Sequence, residues 1–158
     1  MLTGPITGHL SWEEALATEH RQFLDEQAHP PEDVIANIER FAQDYFEPAR
    51  MFCGPLRVNS LYRCPGLNAA IGGSPTSRHM VGLAADLWPV RMPLRHAFER
   101  ISESVVGIDQ LIYEFGRWIH LGACPVGITP RGQRLMIFSQ GSYEPWNPRD
   151  PRVTGGTI

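Results

Sequence analysis

The segment from Ser77 to Asp86 constrains the fold of this chain more than any other stretch of the sequence. An imidazole, His79, and a carboxylate, Asp86, lie seven residues apart around the start of an apolar run. In a straight strand, residues an odd number of positions apart point to opposite faces. The two side chains can therefore meet only if the chain turns between them, and Gly82 can adopt the conformation that such a turn requires. The sequence predicts a turn at Gly82 that leads into a buried strand over residues 83–87.

His79 and Asp86 are candidate ligands for a metal ion. Imidazole nitrogen and carboxylate oxygen suit zinc, and a catalytic zinc site typically has three protein ligands and a fourth position for water. His120, inside the apolar run from Trp118 to Leu121, is the best candidate for the third ligand. Taken alone, His120 would more often be a core histidine bonded to a backbone carbonyl, and a domain with merely buried histidines is one alternative. The three residues together predict one zinc ion per chain.

Glu114 is the candidate for a general base beside this site. It lies six residues before His120, which in one extended strand corresponds to a separation of about 20 Å. A tight turn over residues 115–117 would instead make Glu114 a diagonal cross-strand neighbour of His120 at about 7–8 Å. The alternative is a solvent-facing acid on an edge strand. We predict the hairpin, because it lets Glu114 act on the same water molecule as the metal site.

Arg63 is a further candidate, for contact with a substrate. It follows Asn59-Ser60-Leu61-Tyr62, just before a stretch that is rich in glycine. A guanidinium group there could bind a carboxylate or stabilise the charge that develops on a reacting carbonyl. An isolated arginine is more often an ordinary surface residue, so the residues alone leave both interpretations open.

The order of the predicted elements indicates an α+β fold. Ser11 and Glu14 have the spacing of a capping box, which predicts a first helix over about residues 11–27. Apolar residues at helical spacing predict a second helix from Pro31 to Gly54. We further predict an irregular stretch over 65–75, a helix over 93–104 and strands over 56–59, 83–87, 110–113, 118–121 and 135–138. N-terminal helices are therefore expected to pack on a small, mainly antiparallel sheet.

The composition fits a single domain over residues 1–158. The chain is 42% apolar and 20% charged, and its formal net charge of −3 gives no reason to expect binding to nucleic acid or to an anionic membrane. No apolar run approaches the roughly 20 residues of a membrane span, and no export signal is visible, so we expect synthesis in the cytoplasm. We also expect a monomer. Residues 141–158 are expected to form a loose C-terminal arm. Cys53, Cys64 and Cys124 are expected to be free thiols.

Four short motifs together carry a resemblance to a known family. They are Ser77-x-His79-x-x-Gly82-x-Ala84-x-Asp86, the preceding Asn59-Ser60-Leu61-Tyr62-Arg63 and Asn68-x-x-Ile71-Gly72-Gly73-Ser74, and the later Tyr113-Glu114 with Trp118-Ile119-His120. Over about residues 35–122 the chain resembles the zinc D-Ala-D-Ala peptidase family. That family includes D,D-carboxypeptidases, the D-Ala-D-Ala dipeptidases of vancomycin resistance and many phage endolysins. It belongs to a larger group with lysostaphin and the hedgehog signalling domain.

The resemblance implies a fold like that of hedgehog and the D,D-peptidases, and a role for each motif residue. The implied zinc ligands are His79, Asp86 and His120, the implied general base is Glu114, and the residues implied to contact the substrate are Ser77 and Arg63. Arg63 would also stabilise the reacting carbonyl. Several relatives have His-x-His at the third-ligand segment, whereas Trp118 occupies the earlier of these positions here.

The function that the resemblance implies is hydrolysis of an amide bond in bacterial cell-wall peptide. The leading expectation is a D-Ala-D-Ala carboxypeptidase or D,D-endopeptidase that acts on a peptidoglycan stem peptide or a D-Ala-D-Ala-containing muropeptide. An L-alanyl-D-glutamate endopeptidase is one alternative, and a zinc-bearing binding module without catalysis is an alternative of another class. The missing export signal fits a phage or prophage endolysin, a virion protein or a cytoplasmic dipeptidase, and we expect the first of these.

Overall fold

The structure is a computed structural model, and it describes residues 1–154. The α-helices of this part are Trp12–Ala15 (α1), Leu24–Gln27 (α2), Glu32–Phe41 (α3), Glu47–Cys53 (α4), Pro65–Ala70 (α5) and Leu94–Ser104 (α6). The strands are Leu56–Ser60 (β1), Ala84–Pro89 (β2), Gln110–Glu114 (β3), Trp118–Gly122 (β4), Gln133–Ile137 (β5) and Tyr143–Pro145 (β6). Short 3-10 helices lie at Arg21–Phe23 and Arg78–Val81.

The N-terminal helix is shorter than its capping pattern suggested. The capping box is present, since the backbone N–H of Glu14 donates to Ser11 Oγ and the backbone N–H of Ser11 donates to the Glu14 carboxylate. However, α1 ends at Ala15, and the chain becomes helical again only at Arg21. The carbonyl of Ala15 accepts a hydrogen bond of 3.0 Å from the N–H of Tyr62. This bond to a distant segment uses the acceptor that a further helical turn would need.

The long helix that was predicted from Pro31 to Gly54 is present. It consists of α3, a π-helical turn at Ala42–Phe46 and α4. Its inward side chains, which include Val34, Ile38 and Phe41, are buried. The helix ends at Gly54, whose φ of 71° is a backbone conformation that glycine adopts without strain.

The strands form one six-stranded sheet in the order β1-β2-β4-β3-β5-β6. Neighbouring strands are antiparallel, except that β3 and β5 run parallel. Helix α6 packs on β2, β3 and β4, and α4 packs on α6. The structure thus confirms an α+β fold with helices against a mainly antiparallel sheet.

Alternation along β3 gives the sheet a core face and a groove face. Leu111 and Tyr113 point into the hydrophobic core, and both are fully buried. Gln110, Ile112 and Glu114 point the other way and line a groove of about 860 Å³. The side chains that carry chemistry can therefore share one open surface, while their neighbours in sequence hold the sheet on the helices.

Residues 65–75, which were expected to be irregular, contain α5. Pro65 is its first residue, a position where proline is favoured because the missing N–H has no intrahelical partner. Leu67 and Asn68 are its buried residues, and Asn68 Nδ2 donates to the carbonyl of Ser74. The glycines that follow α5 still form a loop, so the prediction holds for the second half of this stretch.

The segment after residue 140 also differs from the loose arm that its composition suggested for 141–158. Strand β6 pairs with β5, and the Trp146 ring packs on Phe98 and Tyr113 at centroid distances of 4.1 and 5.5 Å. Val153 is buried as well. One strand pairing and one large aromatic side chain therefore anchor the segment, despite its low apolar content. Residues 155–158 lie outside the described residues.

The cysteines agree with the expectation of free thiols. Cys53, Cys64 and Cys124 are buried and unpaired. None of the helices within residues 1–154 has the combination of length and hydrophobicity that crossing a membrane requires.

Candidate metal centre

A tight turn places His79, as the spacing of the motif predicted. The 3-10 helix that contains His79 begins after Ser77, whose Oγ accepts a hydrogen bond from the His79 backbone N–H, and it ends at Gly82 with a φ of 71°. A Cβ atom at Gly82 would lie 2.6 Å from Ile38 Cγ1 and 3.0 Å from the carbonyl oxygen of Val34. Both the backbone conformation and the close contact with α3 therefore require glycine at this position.

The imidazole of His79 has a fixed orientation. Its Nδ1 lies 2.7 Å from the carbonyl oxygen of Leu61, an atom that can only accept, so Nδ1 carries the proton and donates it. This leaves a lone pair on Nε2. The ring is buried, and burial lowers the pKa of His79, which favours the neutral form that binds metals.

Asp86 and His120 come from neighbouring antiparallel strands. Asp86 on β2 is the direct cross-strand partner of His120 on β4, so both side chains lie on the groove face. The turn that carries His79 brings a second imidazole over this pair, and the two imidazole rings meet edge to face with centroids 5.0 Å apart. Three residues that are far apart in the chain thus converge on one point.

The three donor atoms form a small triangle. His79 Nε2 lies 3.2 Å from Asp86 Oδ1 and 3.2 Å from His120 Nδ1, and His120 Nδ1 lies 3.1 Å from Asp86 Oδ1. Tetrahedral coordination with zinc–ligand distances of about 2.0–2.1 Å places ligand atoms about 3.3 Å apart. The observed spacing is close to that value, and all three side chains could supply one ligand atom each.

The charges at this triangle also fit a cation. Because the His79 proton is on Nδ1, its Nε2 lone pair faces a carboxylate oxygen with no proton between them. Burial opposes ionisation of Asp86, but the two neighbouring imidazoles outweigh this effect and hold the pKa of Asp86 well below its ordinary value. A neutral imidazole and an ionised carboxylate are the forms that bind zinc.

Arg63 lies on the far side of Asp86. Its Nη2 donates to Asp86 Oδ2 at 2.6 Å, and its Nε donates to Ser60 Oγ at 2.9 Å. The two oxygens of Asp86 are therefore divided between Arg63 and the histidines. The sequence assigned Arg63 to substrate, and the structure adds a contact with a candidate metal ligand, although Arg63 also lines the groove together with Ser77.

The hairpin that was predicted between Glu114 and His120 is present. Glu114 pairs with Trp118 and Ile112 pairs with His120, so Glu114 is a diagonal neighbour of His120. The turn is closed by the Arg117 N–H on the Glu114 carbonyl at 2.9 Å. Because β3 lies between β4 and β5, the alternative of an edge strand is excluded.

Trp118 holds the carboxylate of Glu114. The indole Nε1 donates to Glu114 Oε2 at 2.8 Å, and the ring meets Phe115 at a centroid distance of 5.8 Å. Burial raises the pKa of Glu114 above its ordinary value of 4.5, while the charge of His120 and the Trp118 hydrogen bond oppose the shift. Sequence reasoning treated Trp118 only as a replacement for a histidine and missed this contact, although the hairpin makes the two residues direct partners.

The groove has two chemically different ends. We call Arg78, Arg131 and Gln110 the cationic end, and Phe115, Trp118 and Tyr143 the aromatic end; all six residues line the groove. Gln110 is the first residue of β3, and Phe115 directly follows its last residue. Tyr143 on β6 reaches the aromatic end through the pairing of β6 with β5. Sequence reasoning singled out neither arginine. The position of Arg78 next to His79 was a usable signal, whereas nothing local pointed to Arg131.

Comparison with known proteins gives one family. A family model described as Peptidase M15 matches residues 18–122, which is more than half of the chain. The matched region contains His79, Asp86, Glu114 and His120, and it confirms the resemblance seen in the motifs. No curated protein matches the chain.

Proposed function

Because the chain belongs to the peptidase M15 family, a family of zinc enzymes, we propose that it hydrolyses an amide bond in bacterial cell-wall peptide. The observation that carries the proposal is the convergence of the donor atoms of His79, Asp86 and His120 in the same groove as Glu114. A groove of about 860 Å³ has the size of sites that bind small ligands and peptides.

His79, Asp86 and His120 would hold the zinc ion. When bound, zinc supplies Lewis acidity, which lowers the pKa of water and polarises a carbonyl group. The side chains around the ligands fix their orientation. The Leu61 carbonyl sets the tautomer of His79, and Arg63 occupies the second oxygen of Asp86.

Glu114 would move the proton. Its Oε2 accepts a hydrogen bond from the Trp118 indole, which leaves Oε1 to accept a proton from the attacking water. Burial raises the pKa of the Glu114 carboxyl, so the proton is held more strongly than by an exposed glutamate. Glu114 then returns this proton to the leaving amine, which completes hydrolysis without any other acid.

Arg63 and Ser77 would contact the substrate. Arg63 engages Asp86 and Ser60 through Nη2 and Nε, so Nη1 is the nitrogen proposed to stabilise charge on the reacting carbonyl. Ser77 accepts a hydrogen bond from the His79 N–H and also lines the groove, so its hydroxyl group can donate to a substrate carbonyl.

We assign the cleaved bond to the D,D class, as a D-Ala-D-Ala carboxypeptidase or a D,D-endopeptidase. The motif of ten residues from Ser77 to Asp86 and the family match support a peptidase of this family, and within the family the D,D bond is the leading expectation. The substrate would be a stem peptide or a muropeptide that ends in D-Ala-D-Ala or contains a D,D crosslink. Cleavage between L-alanine and D-glutamate is the competing outcome in the test.

The test is digestion of purified muropeptides of known structure, with the products identified by mass spectrometry. The expected result is cleavage at a D,D bond that stops when a chelator is added and resumes with zinc. Asp86→Asn should lose both zinc and activity, whereas Asp44→Asn, an exposed aspartate on the long helix, should keep both. Cleavage between L-alanine and D-glutamate would move the assignment to that bond.

Elemental analysis of the purified protein distinguishes the two non-catalytic alternatives. One zinc ion per chain with no cleavage of any muropeptide would identify a binding module, and no stoichiometric metal would leave a domain with buried histidines. Either result would overturn the proposed peptidase.

We also propose that the protein acts on the cell wall as a monomeric phage or prophage lysis enzyme. An endopeptidase should clear a suspension of cell walls, because it cuts crosslinks, whereas a carboxypeptidase should release D-alanine without clearing it. Sedimentation of the purified protein tests the monomer. Failure to act on intact walls, with full activity on free dipeptide, would instead indicate a cytoplasmic dipeptidase.

A further inference from the structure

The cationic end of the groove is built around a buried carboxylate. Asp109, only 1% exposed, accepts hydrogen bonds from the backbone N–H of Arg131, from its Nε and, at 2.6 Å, from its Nη2. Arg78 Nε lies 4.0 Å from Oδ2 of the same carboxylate, the oxygen that also accepts from Arg131 Nη2. The two guanidinium groups therefore share a single buried anion.

This arrangement leaves one positive charge without a matching anion. The hydrogen bonds from Arg131 lower the pKa of Asp109, so the carboxylate stays ionised, but it balances only one of the two arginines. Arg131 uses Nε and Nη2 on Asp109, and Arg78 makes no side-chain hydrogen bond within residues 1–154. Both arginines line the groove, with side chains 33% and 49% exposed for Arg78 and Arg131.

A purely structural ion pair explains only part of this cluster. The Arg131–Asp109 bond ties the start of β5 to the start of β3, and parallel pairing puts those two strand ends side by side. That role needs one arginine. Arg78 adds a second guanidinium group, which a structural bond to Asp109 does not require and which points to an anionic ligand.

The sheet register gives the distance from this end to the metal centre. Gln110 is two residues before Ile112, and Ile112 is the direct partner of His120. Two residues of a strand span about 7 Å, so the cationic end lies about two residues of an extended peptide away from the metal ligands. A substrate that lies along β3 would place a group at this position while its scissile carbonyl is at the metal centre.

We propose that Arg78 and Arg131 form a carboxylate-binding subsite, which selects substrate peptides that carry a free carboxylate about two residues from the scissile bond. This inference rests on the proposed peptidase function. In a stem peptide cut at the D-Ala-D-Ala bond, D-glutamate is two positions before the residue that supplies the scissile carbonyl, and its α-carboxyl group is free because the peptide continues through the γ-carboxyl group. The substrate class is therefore an acidic stem peptide with this group free rather than amidated.

The experiment compares two stem peptides that differ only in this group, one with the carboxylate and the other with the carboxamide. Binding is measured by calorimetry on zinc-loaded Glu114→Gln protein, and kcat and KM are measured on the wild type. We expect tighter binding and a lower KM for the carboxylate peptide by about tenfold or more, with similar kcat values.

Arg78→Gln is the main variant, because Arg78 can be lost without unpairing Asp109. Its preference for the carboxylate in binding and in KM should fall to a few-fold, whereas Arg91→Gln, an exposed arginine away from the groove, should behave as wild type. Adding Asp109→Asn and Arg131→Gln to Arg78→Gln gives a triple variant that lacks both guanidinium groups and keeps a neutral partner for the buried group. Thermal denaturation checks that each variant is folded.

The outcomes separate this inference from the proposed function. Equal affinity for the two peptides, or a preference that survives loss of both arginines, would overturn the subsite even if the enzyme cleaves both. An arginine-dependent preference in binding with no hydrolysis would support the subsite and overturn the peptidase.

Discussion

The two ends of the groove have opposite effects on the acidic side chain that each contains. At the aromatic end, burial raises the pKa of Glu114, and the Trp118 indole donates a hydrogen bond to its carboxyl group. At the cationic end, Asp109 is held ionised by Arg131, and a second arginine is left over. One end thus tunes the pKa of the proposed base, and the other provides a fixed positive charge.

This difference follows from the neighbours of β3. Towards its C-terminal end, β3 turns into β4, so a local hairpin places an indole on the acid. At its N-terminal end, the neighbour is the start of the parallel strand β5, which brings in Arg131 from 22 residues away. The tuning of the proposed base is therefore local in sequence, whereas the charge of the proposed subsite depends on a long-range contact. The following experiments test whether the two ends act independently.

The largest effect is expected at the aromatic end, for Glu114→Gln. Loss of the base should lower kcat by about 10²–10⁴-fold, because general-base catalysis contributes that much. Zinc content and the carboxylate preference in binding should not change. Steady-state kinetics, elemental analysis and calorimetry measure these quantities, and Glu103→Gln on α6 is the matched control. Full activity would remove Glu114 from its proposed role.

A smaller effect is expected for Arg63→Gln, which alters the metal site between the two ends. Asp86 would lose the hydrogen bond that orients it, and such changes typically cost about 10–100-fold in metal affinity or activity. Competition with a chromophoric chelator measures the zinc affinity, and Arg57→Gln on β1 is the control. Unchanged zinc affinity with reduced kcat would show that Arg63 acts on the substrate instead.

Trp118→Phe should shift the pH profile without abolishing activity. The indole hydrogen bond lowers the pKa of Glu114, so its loss raises that pKa further. The base works when ionised, and therefore the acidic limb of kcat against pH should move to higher pH, with kcat nearly equal to wild type at alkaline pH. Trp88→Phe on β2 serves as control. If the acidic limb does not shift, Trp118 does not influence the pKa of the catalytic base.

The smallest effect requires no mutation. Raising the salt concentration from about 0.05 to 0.5 M should raise KM for the carboxylate peptide a few-fold, because ions screen the partly exposed arginines of the cationic end. The amidated peptide should respond less, and kcat should not respond. An equal rise for both peptides would mean that the salt effect does not come from recognition of this carboxylate.

The sequence predicted correctly those features that depend on a short segment with a fixed odd or even spacing between residues. The odd spacing of His79 and Asp86 required a turn, and Gly82 provides it; the glycine after Phe115 allowed the hairpin that brings Glu114 beside His120. These inferences need only the periodicity of a strand and the freedom of glycine.

The remaining features depend on contacts that no local pattern encodes. The pairing of Arg131 with Asp109 needs the parallel register of β3 and β5, and the early end of α1 needs the Tyr62 N–H on the Ala15 carbonyl. The anchored C-terminal segment depends on where the Trp146 ring meets Phe98. Composition averages over such single contacts and therefore misses them.

The position of strand β6 would allow the proposed substrate range to change without any change at the candidate metal centre. It is a three-residue edge strand, and it presents Tyr143 to the groove while the nearby Trp146 is wedged on the opposite side of the sheet. A two-residue slip along β5 would carry the phenol ring about 7 Å along the cleft and would keep every side chain on its own face. Insertions or deletions in the preceding loop could thus produce relatives that share one reaction and prefer different peptides.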